Sequence, residues 1–177
     1  MRFFKLLLLA TALITVGIKL PCDFIIASEH CAQNPLWQEA INYAKENLPM
    51  EGELKIKSSG FVYLKVDDDY IHTLFPMLGL KAEGFKEPPY FRTKEAPGAH
   101  ISVFYEDEHI VPTEIGQYFH FELKQITIIK TSKDTSYAIL QVESPELEKL
   151  REEYGLSPKL FGHEFHISLA KKTKHGH

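Results

Sequence analysis

Apolar and polar positions along this chain repeat with two different periods, and the changes of period mark the expected elements. Residues 34–49 carry apolar side chains at the three- and four-residue spacing of a helix, which begins at an Asn-Pro pair and ends at proline. Residues 53–66 contain two runs typical of β-strands, separated by Ser-Ser-Gly. Three aspartates then open a helix predicted over residues 67–78, and Pro76 strains its last turn.

A long loop and a strand complete the first half of the chain, and the second half then repeats the same order of elements. Residues 79–98 are rich in glycine, proline and charge and predict a long loop before the next strand. The alternation over residues 119–131 predicts one long strand, and a returning strand follows at 137–142. A Ser-Pro-Glu cap starts an amphipathic helix over 144–154, and the basic tail 171–177 is expected to be frayed. Both halves therefore have the order strand, strand, helix, loop, strand, which indicates a pseudo-duplication.

The last strand of each half carries the same short motif. It occurs as Ala99-His100-Ile101-Ser102-Val103 and as Phe165-His166-Ile167-Ser168-Leu169. Side chains two positions apart on a strand point to the same face, so each copy presents an imidazole beside a hydroxyl. One such triplet is most often structural. Two copies in matching positions favour a shared pocket, which offers a general base, a general acid and neutral donors for an anion.

Composition restricts the class of protein but does not name a function. The chain has 177 residues, a formal net charge of −4, 44% hydrophobic residues and 12% aromatic residues. It is long and apolar enough for one domain, or for one unit of two similar lobes, and it is not expected to be disordered. The near-neutral charge argues against tracking along duplex nucleic acid.

The N-terminus has the pattern of an export signal. Arg2 and Lys5 precede an apolar stretch over residues 6–18 that is short for a membrane span. We expect residues 1–27 to be a signal peptide or a membrane anchor, followed by a folded domain over 34–177. Cleavage near Ala27 would give a secreted or periplasmic protein, and an uncleaved segment would anchor it to the membrane.

The two cysteines lie at the edge of that segment. Cleavage before Cys22 would leave Cys22 and Cys31 free to pair in an oxidising compartment, whereas cleavage after Ala27 would leave Cys31 single. Neither cysteine is part of a motif with histidine, so we assign neither a catalytic role.

The paired motifs resemble those of the 2H phosphoesterase superfamily, which includes bacterial 2′-5′ RNA ligase-like proteins and cyclic phosphodiesterases. The resemblance implies an α+β fold of two pseudo-symmetric lobes, whose antiparallel sheets form a central cleft with helices on the outside. His100 and Ser102 match the first family motif, and His166 and Ser168 match the second. The family often has threonine at the hydroxyl position, where this chain has serine twice.

The resemblance also implies a reaction. It predicts hydrolysis, without metal or cofactor, of a 2′,3′-cyclic phosphate or a 2′-5′ linkage in a nucleotide or at the end of a short RNA. One imidazole would remove a proton from water and the other would protonate the departing ribose oxygen. The serine hydroxyls would hold the phosphoryl oxygens. The sequence leaves open which histidine is the base, and we expect a monomer.

Five further residues are candidates for contact with the substrate. Tyr63 and Lys65 lie two positions apart on a predicted strand, so one face of it presents a ring and a cation. Tyr90 and Arg92 in the long loop are suited to stack on a base and to hold a phosphate. Tyr105 follows the first motif and is expected at the rim of the cleft.

Two other classes of function use the same residues. A metal-dependent hydrolase would use His100 and His166 as ligands, but no carboxylate stands beside either motif at ligand spacing, and there is no His-Glu-x-x-His helix. A non-catalytic exported module would bind a nucleotide or phosphate in the same cleft, and only activity separates it from an enzyme. A glycine-rich phosphate loop is absent from the sequence, which argues against nucleoside triphosphate hydrolysis.

Overall fold

The computed structural model describes residues 34–131 and 134–173. The expected signal or anchor segment, the two cysteines and the last four residues lie outside the described residues. Within the described ranges, no helix has the length and apolar character needed to cross a membrane.

Seven strands of the described chain form one open antiparallel sheet, in the order β4-β1-β2-β3-β7-β6-β5. The strands are β1 (Glu51–Ile56), β2 (Val62–Lys65), β3 (His100–Phe104), β4 (Tyr118–His120), β5 (Glu122–Lys130), β6 (Thr135–Glu143) and β7 (His166–Thr173). The order β1-β2-β3 on one side mirrors β5-β6-β7 on the other. The two halves meet where β3 lies beside β7, and the predicted α+β fold of two related halves is confirmed.

The helices are α1 (Pro35–Asn47), α2 (Asp69–His72), α3 (Leu74–Met77) and α4 (Pro145–Glu153). The two longer helices start at the predicted caps. The Asn34 side chain accepts a hydrogen bond from the Leu36 amide at 3.0 Å, and the Ser144 hydroxyl accepts one from the Leu147 amide at 3.3 Å. Each cap satisfies a backbone donor that the first helical turn leaves free.

The prediction of one continuous helix over residues 67–78 is wrong, because the structure divides this segment into α2 and α3. Pro76 is the cause. Proline has no amide hydrogen to donate to the carbonyl four residues earlier, and its ring clashes with that carbonyl. The residue four positions before Pro76 is His72, where α2 ends.

The strand predicted over residues 119–131 is also divided, at Phe121. β4 pairs with β1 and β5 pairs with β6, so the two pieces lie at opposite edges of the sheet. Seven flat strands would place these edges about 29 Å apart, whereas the single residue between His120 and Glu122 spans about 7 Å. The sheet is therefore strongly curved, and its two edges approach each other at the buried Phe121 side chain.

The prediction of a frayed tail is wrong for residues 171–173. They continue β7 and pair with residues 135–137 of β6.

Candidate active site

The two motif strands lie next to each other at the centre of the sheet. Ile101 of β3 is directly opposite Ile167 of β7, and both isoleucine side chains are fully buried in the core. Residues on either side of each isoleucine point to the other face. The structure therefore brings the histidines and serines of both motifs together on one face of the sheet.

The antiparallel register sets the spacing of these four residues. With Ile101 opposite Ile167, His100 is level with Ser168, and Ser102 is level with His166. The two histidines are then diagonal neighbours, about 7–8 Å apart with their Cβ atoms somewhat closer. The two imidazoles are therefore placed to contact the same bound group.

Both imidazoles are oriented in the same way. The Nδ1 atom of His100 lies 2.8 Å from the carbonyl oxygen of Gly98, and Nδ1 of His166 lies 3.1 Å from the carbonyl oxygen of Glu164. A carbonyl oxygen only accepts, so Nδ1 carries a hydrogen in each ring. The Nε2 atom of each neutral histidine is therefore the one with a lone pair available for proton transfer.

His100 is packed among aromatic side chains and is only 9% exposed. The rings of Tyr90, Tyr63 and Phe61 meet it edge to face at centroid distances of 4.7, 5.7 and 5.8 Å. This burial, with a smaller contribution from the positive charges of nearby lysines, lowers the pKa of His100 to about 4 against the opposing effect of the Gly98 carbonyl. The His100 imidazole is therefore neutral at pH 7.

His166 occupies a more open position. It lines a small cavity of about 50 Å³ together with Ser102, Tyr105, Phe161 and His163. Burial lowers its pKa below the ordinary value, and His163 adds to this effect while the Glu164 carbonyl opposes it. His166 therefore lies at the edge of a small cavity.

A network of hydrogen bonds around Asp68 holds the backbone next to Gly98, whose carbonyl oxygen orients His100. Gly98 has a positive φ of 66°, and a Cβ atom there would clash with the Oδ1 atom of Asp68. That oxygen accepts a hydrogen bond from the Ala99 amide at 2.8 Å and pairs with the Lys65 ammonium. Although burial acts to raise the pKa of Asp68, these donors hold it below its ordinary value.

Lys65 is thus engaged within the protein. Besides the Asp68 carboxylate, its ammonium donates to the carbonyl of Val66 at 2.8 Å. Lys65 pairs with His100 across β2 and β3, so this network supports the strand that carries the histidine. The contact between Lys65 and substrate stays a prediction.

Four aromatic rings form a continuous wall along the site. Tyr63 stacks on Phe61 at 5.5 Å, Phe61 on Tyr105 at 6.0 Å, and Tyr105 on Phe161 at 5.4 Å. The Phe161 side chain is 65% exposed and stands beside the cavity of His166. An exposed ring at the end of a stacked row provides a flat surface on which a base or another ring can stack.

Sequence analysis selected two members of this aromatic wall, Tyr63 and Tyr105, but missed Phe61 and Phe161. Phe161 lies in a turn with φ of 50°, followed by Gly162 with φ of 77°. The Phe-Gly pair three residues before the second motif was the available signal. A bulky residue held in the left-handed region is uncommon and is found often at functional turns.

The structure separates the two loop candidates. Tyr90 is partly buried with its ring against His100, and burial raises the pKa of its hydroxyl while the neighbouring Ser168 hydroxyl opposes the rise. Arg92 is exposed and lines a different cavity, which also contains Lys86 and Lys171. The loop therefore supplies one residue to the histidine site and another to a neighbouring basic cavity.

Among the residues that the structure describes, no group of three or more His, Cys, Asp and Glu side chains is placed to hold a metal ion. The site combines two imidazoles, two hydroxyl groups and an aromatic wall, which together can transfer protons and bind an anion attached to a ring.

Comparison with known proteins assigns the family. A family model described as "Swiss Army Knife, 2H phosphoesterase domain" matches residues 62–177, which begin at β2 and include both motifs. No curated protein and no solved structure matches the chain. The match covers most of the chain and both motif strands, and the protein is therefore a member of the 2H phosphoesterase family.

Proposed function

We propose that this phosphoesterase hydrolyses a 2′,3′-cyclic phosphate or a 2′-5′ linkage in a nucleotide or short RNA, using its two histidines as base and acid. The observation that carries the proposal is the shared orientation of the imidazoles. Each Nδ1 atom is held by a carbonyl two residues earlier, on adjacent strands whose register sets the histidines diagonally across from each other. Two Nε2 atoms on either side of one phosphate match the two proton transfers that hydrolysis needs.

His100 is the base in this proposal and His166 is the acid. Because the pKa of His100 falls to about 4, its Nε2 atom is unprotonated and accepts a proton from water. The water oxygen then bonds to phosphorus, and the bond from phosphorus to a ribose oxygen breaks. His166, protonated at Nε2, gives its proton to that departing oxygen. The product is a phosphomonoester, and proton exchange with solvent restores both histidines.

The hydroxyl groups stabilise the charge that gathers on phosphorus-bound oxygens. Ser102 is level with His166 and Ser168 is level with His100, so each serine hydroxyl can donate to a non-bridging oxygen held between the imidazoles. Tyr105 and Tyr90 are close to these serines. They restrict the positions that the two hydroxyl groups can take.

The aromatic wall favours a nucleotide over a simple phosphate ester. Phe161 is exposed beside the cavity that Ser102 and His166 line. Stacking of a base on an aromatic ring contributes about 1–3 kcal/mol and tolerates any base. A substrate with its phosphate between the histidines and its base on Phe161 would use both features.

A panel of substrates tests the proposal directly. The full chain should hydrolyse 2′,3′-cyclic nucleotides or 2′-5′ dinucleotides, and the rate should persist in the presence of a chelator. Loss of all activity in chelator would favour a metal-dependent hydrolase. Binding of these compounds without turnover would favour a non-catalytic nucleotide-binding module.

The pH dependence is a separate prediction. The quantity kcat/KM reports ionisation of the free protein. It should rise as His100 loses its proton near pH 4 and fall as pH passes the pKa of His166, which lies below 6.5. We expect an optimum between these limits, measured as kcat/KM across the acidic and neutral range. A profile that still rises above pH 6.5 would contradict the assignment of the acid.

A further inference from the structure

A second cavity, of about 270 Å³, lies along β7 from the histidine site. Its walls include Lys86, Arg92, Lys171 and one carboxylate, Glu87. Glu87 is 3.7 Å from Nδ1 of His72. Within residues 34–131 and 134–173, none of the three cations takes part in an ion pair. The cavity therefore carries excess positive charge in a chain whose formal net charge is −4.

Two of these cations face each other across a backbone pair. Lys86 and Lys171 form an isolated antiparallel bridge, with hydrogen bonds of 2.9 and 2.8 Å between their amides and carbonyls. Like charges directly opposite in such a pair destabilise it. The Lys171 ammonium lies over the Tyr137 ring at 5.5 Å. An anion bound near both ammonium groups would offset the repulsion between them.

A bulge in β7 turns Lys171 toward the histidine face. The register with β6 shifts between Ala138 and Ile139, so that Leu169 has no partner. An extra residue reverses the alternation of side chains beyond it. Lys171 consequently lies on the same face as Ser168, whereas an unbroken strand would direct it to the opposite face.

The two cavities are also close along the chain. Lys171 is three residues from Ser168, which corresponds to about 10 Å on a strand. Pro89 lines the basic cavity, and the next residue, Tyr90, packs against His100. One extended ligand can therefore reach from the histidines, past Tyr90, to the basic cavity.

We propose that the Lys86, Arg92 and Lys171 cavity binds a second phosphate group of the substrate, one that is not cleaved. This inference rests on the proposed function and narrows its substrate class to compounds with at least two phosphate groups, such as a dinucleotide that ends in a cyclic phosphate. The guanidinium of Arg92 suits two phosphate oxygens at once, and the lysines act as point charges on either side. A cyclic mononucleotide lacks the second phosphate and would leave the cavity empty.

The test compares a 2′,3′-cyclic mononucleotide with a dinucleotide that ends in the same cyclic phosphate. The wild-type chain should show a KM about tenfold lower for the dinucleotide, as expected for one added charge-assisted contact. In Lys171→Ala and Arg92→Ala the ratio of the two KM values should approach one. The slope of log KM for the dinucleotide against the logarithm of the salt concentration should also be smaller by about 0.7 in these variants, because one phosphate contact is lost.

Lys172→Ala is the matched control, because it removes the same charge from the next residue. The Lys172 ammonium lies over the Phe85 ring at 5.6 Å, outside the basic cavity. This control should keep the wild-type ratio of KM values. A ratio near one in the wild-type chain, or a wild-type ratio in Lys171→Ala, would overturn the proposal.

If the proposed function is wrong, neither substrate is cleaved. If only the second-phosphate proposal is wrong, both substrates are cleaved with similar KM values. Calorimetric binding of the dinucleotide to wild type and to Lys171→Ala would still test the cavity, with weaker binding expected only in the variant. Inorganic phosphate is the final probe. If it binds wild type but not Lys171→Ala while the dinucleotide has no advantage, the cavity serves free phosphate and the proposal is wrong.

Discussion

Replacing either His100 or His166 by alanine should lower kcat on any substrate that the wild-type chain cleaves by about 10²–10⁴-fold. Each change removes one of the two Nε2 atoms and therefore one proton transfer. The double variant should be scarcely slower than the slower single variant, because groups that act together are not additive. Ser102→Ala and Ser168→Ala should have smaller effects, since they leave both proton transfers in place.

Controls separate lost chemistry from lost folding. His100 is enclosed by rings, so His100→Asn is made in parallel, with an amide that can donate to the Gly98 carbonyl as Nδ1 does. His120→Ala removes an exposed histidine of β4 and should keep wild-type activity. Steady-state kinetics and thermal melts of the same preparations show whether a variant has lost activity while keeping its fold. Wild-type turnover in both histidine variants would make the motifs structural.

Arg151→Ala should destabilise the fold by about 3–5 kcal/mol, a large share of the stability of an ordinary domain. The Arg151 side chain is 2% exposed, and its Nη2 atom lies 2.7 Å from a carboxylate oxygen of Glu108. It also donates to the carbonyls of Val103 and Ser157. Removing the guanidinium leaves a poorly exposed carboxylate and these carbonyls without their donor.

Chemical denaturation measures this effect, and Lys149→Ala provides the comparison. Lys149 lies on the same helix in an exposed pair with Glu153 at 3.5 Å, and its loss should change stability by about 0.5 kcal/mol or less. The double variant Arg151→Met with Glu108→Gln removes both charges of the buried pair. It should be more stable than Arg151→Ala, because no charge is then left unpaired. Equal effects of Arg151→Ala and Lys149→Ala would show that the buried pair contributes little.

The Arg151 contact also reaches the site. The other oxygen of Glu108 accepts a hydrogen bond from the Tyr105 amide at 2.8 Å, and burial of Glu108 is offset by Arg151, which holds its pKa below the ordinary value. Tyr105 belongs to the aromatic wall. Helix α4 therefore holds, through this carboxylate, the backbone of the residue that carries one ring of the wall.

Local patterns in the sequence were sufficient to predict the two motif strands and the longer helices. A histidine and a serine two positions apart must share a face of a strand, and caps such as Asn34 and Ser144 act on neighbouring amides. Each of these features depends on a few consecutive residues. The α+β class was predicted in another way, because the resemblance of the paired motifs to the 2H phosphoesterase superfamily implied it.

Features that depend on distant partners were not predictable in the same way. The alternation around Phe121 is the same whether its flanking strands share one neighbour or pair at opposite edges of the sheet. Arg151 reads as one more charged residue of an amphipathic helix, because Glu108 is far from it in sequence. Lys65 reads as a free cation until Asp68 is placed beside it. In each case the partner, and not the local pattern, decides the role.

The curvature of the sheet has a consequence for how the site works. The two halves are joined at several places, among them the β3–β7 pairing at the centre, the Lys86–Lys171 bridge and the single residue Phe121 between β4 and β5. These joins oppose a hinge motion that would move one histidine away from the other. In the proposed mechanism the two histidines are thus preorganised before a ligand arrives, and the entropy lost in aligning them belongs to folding rather than to the catalytic cycle.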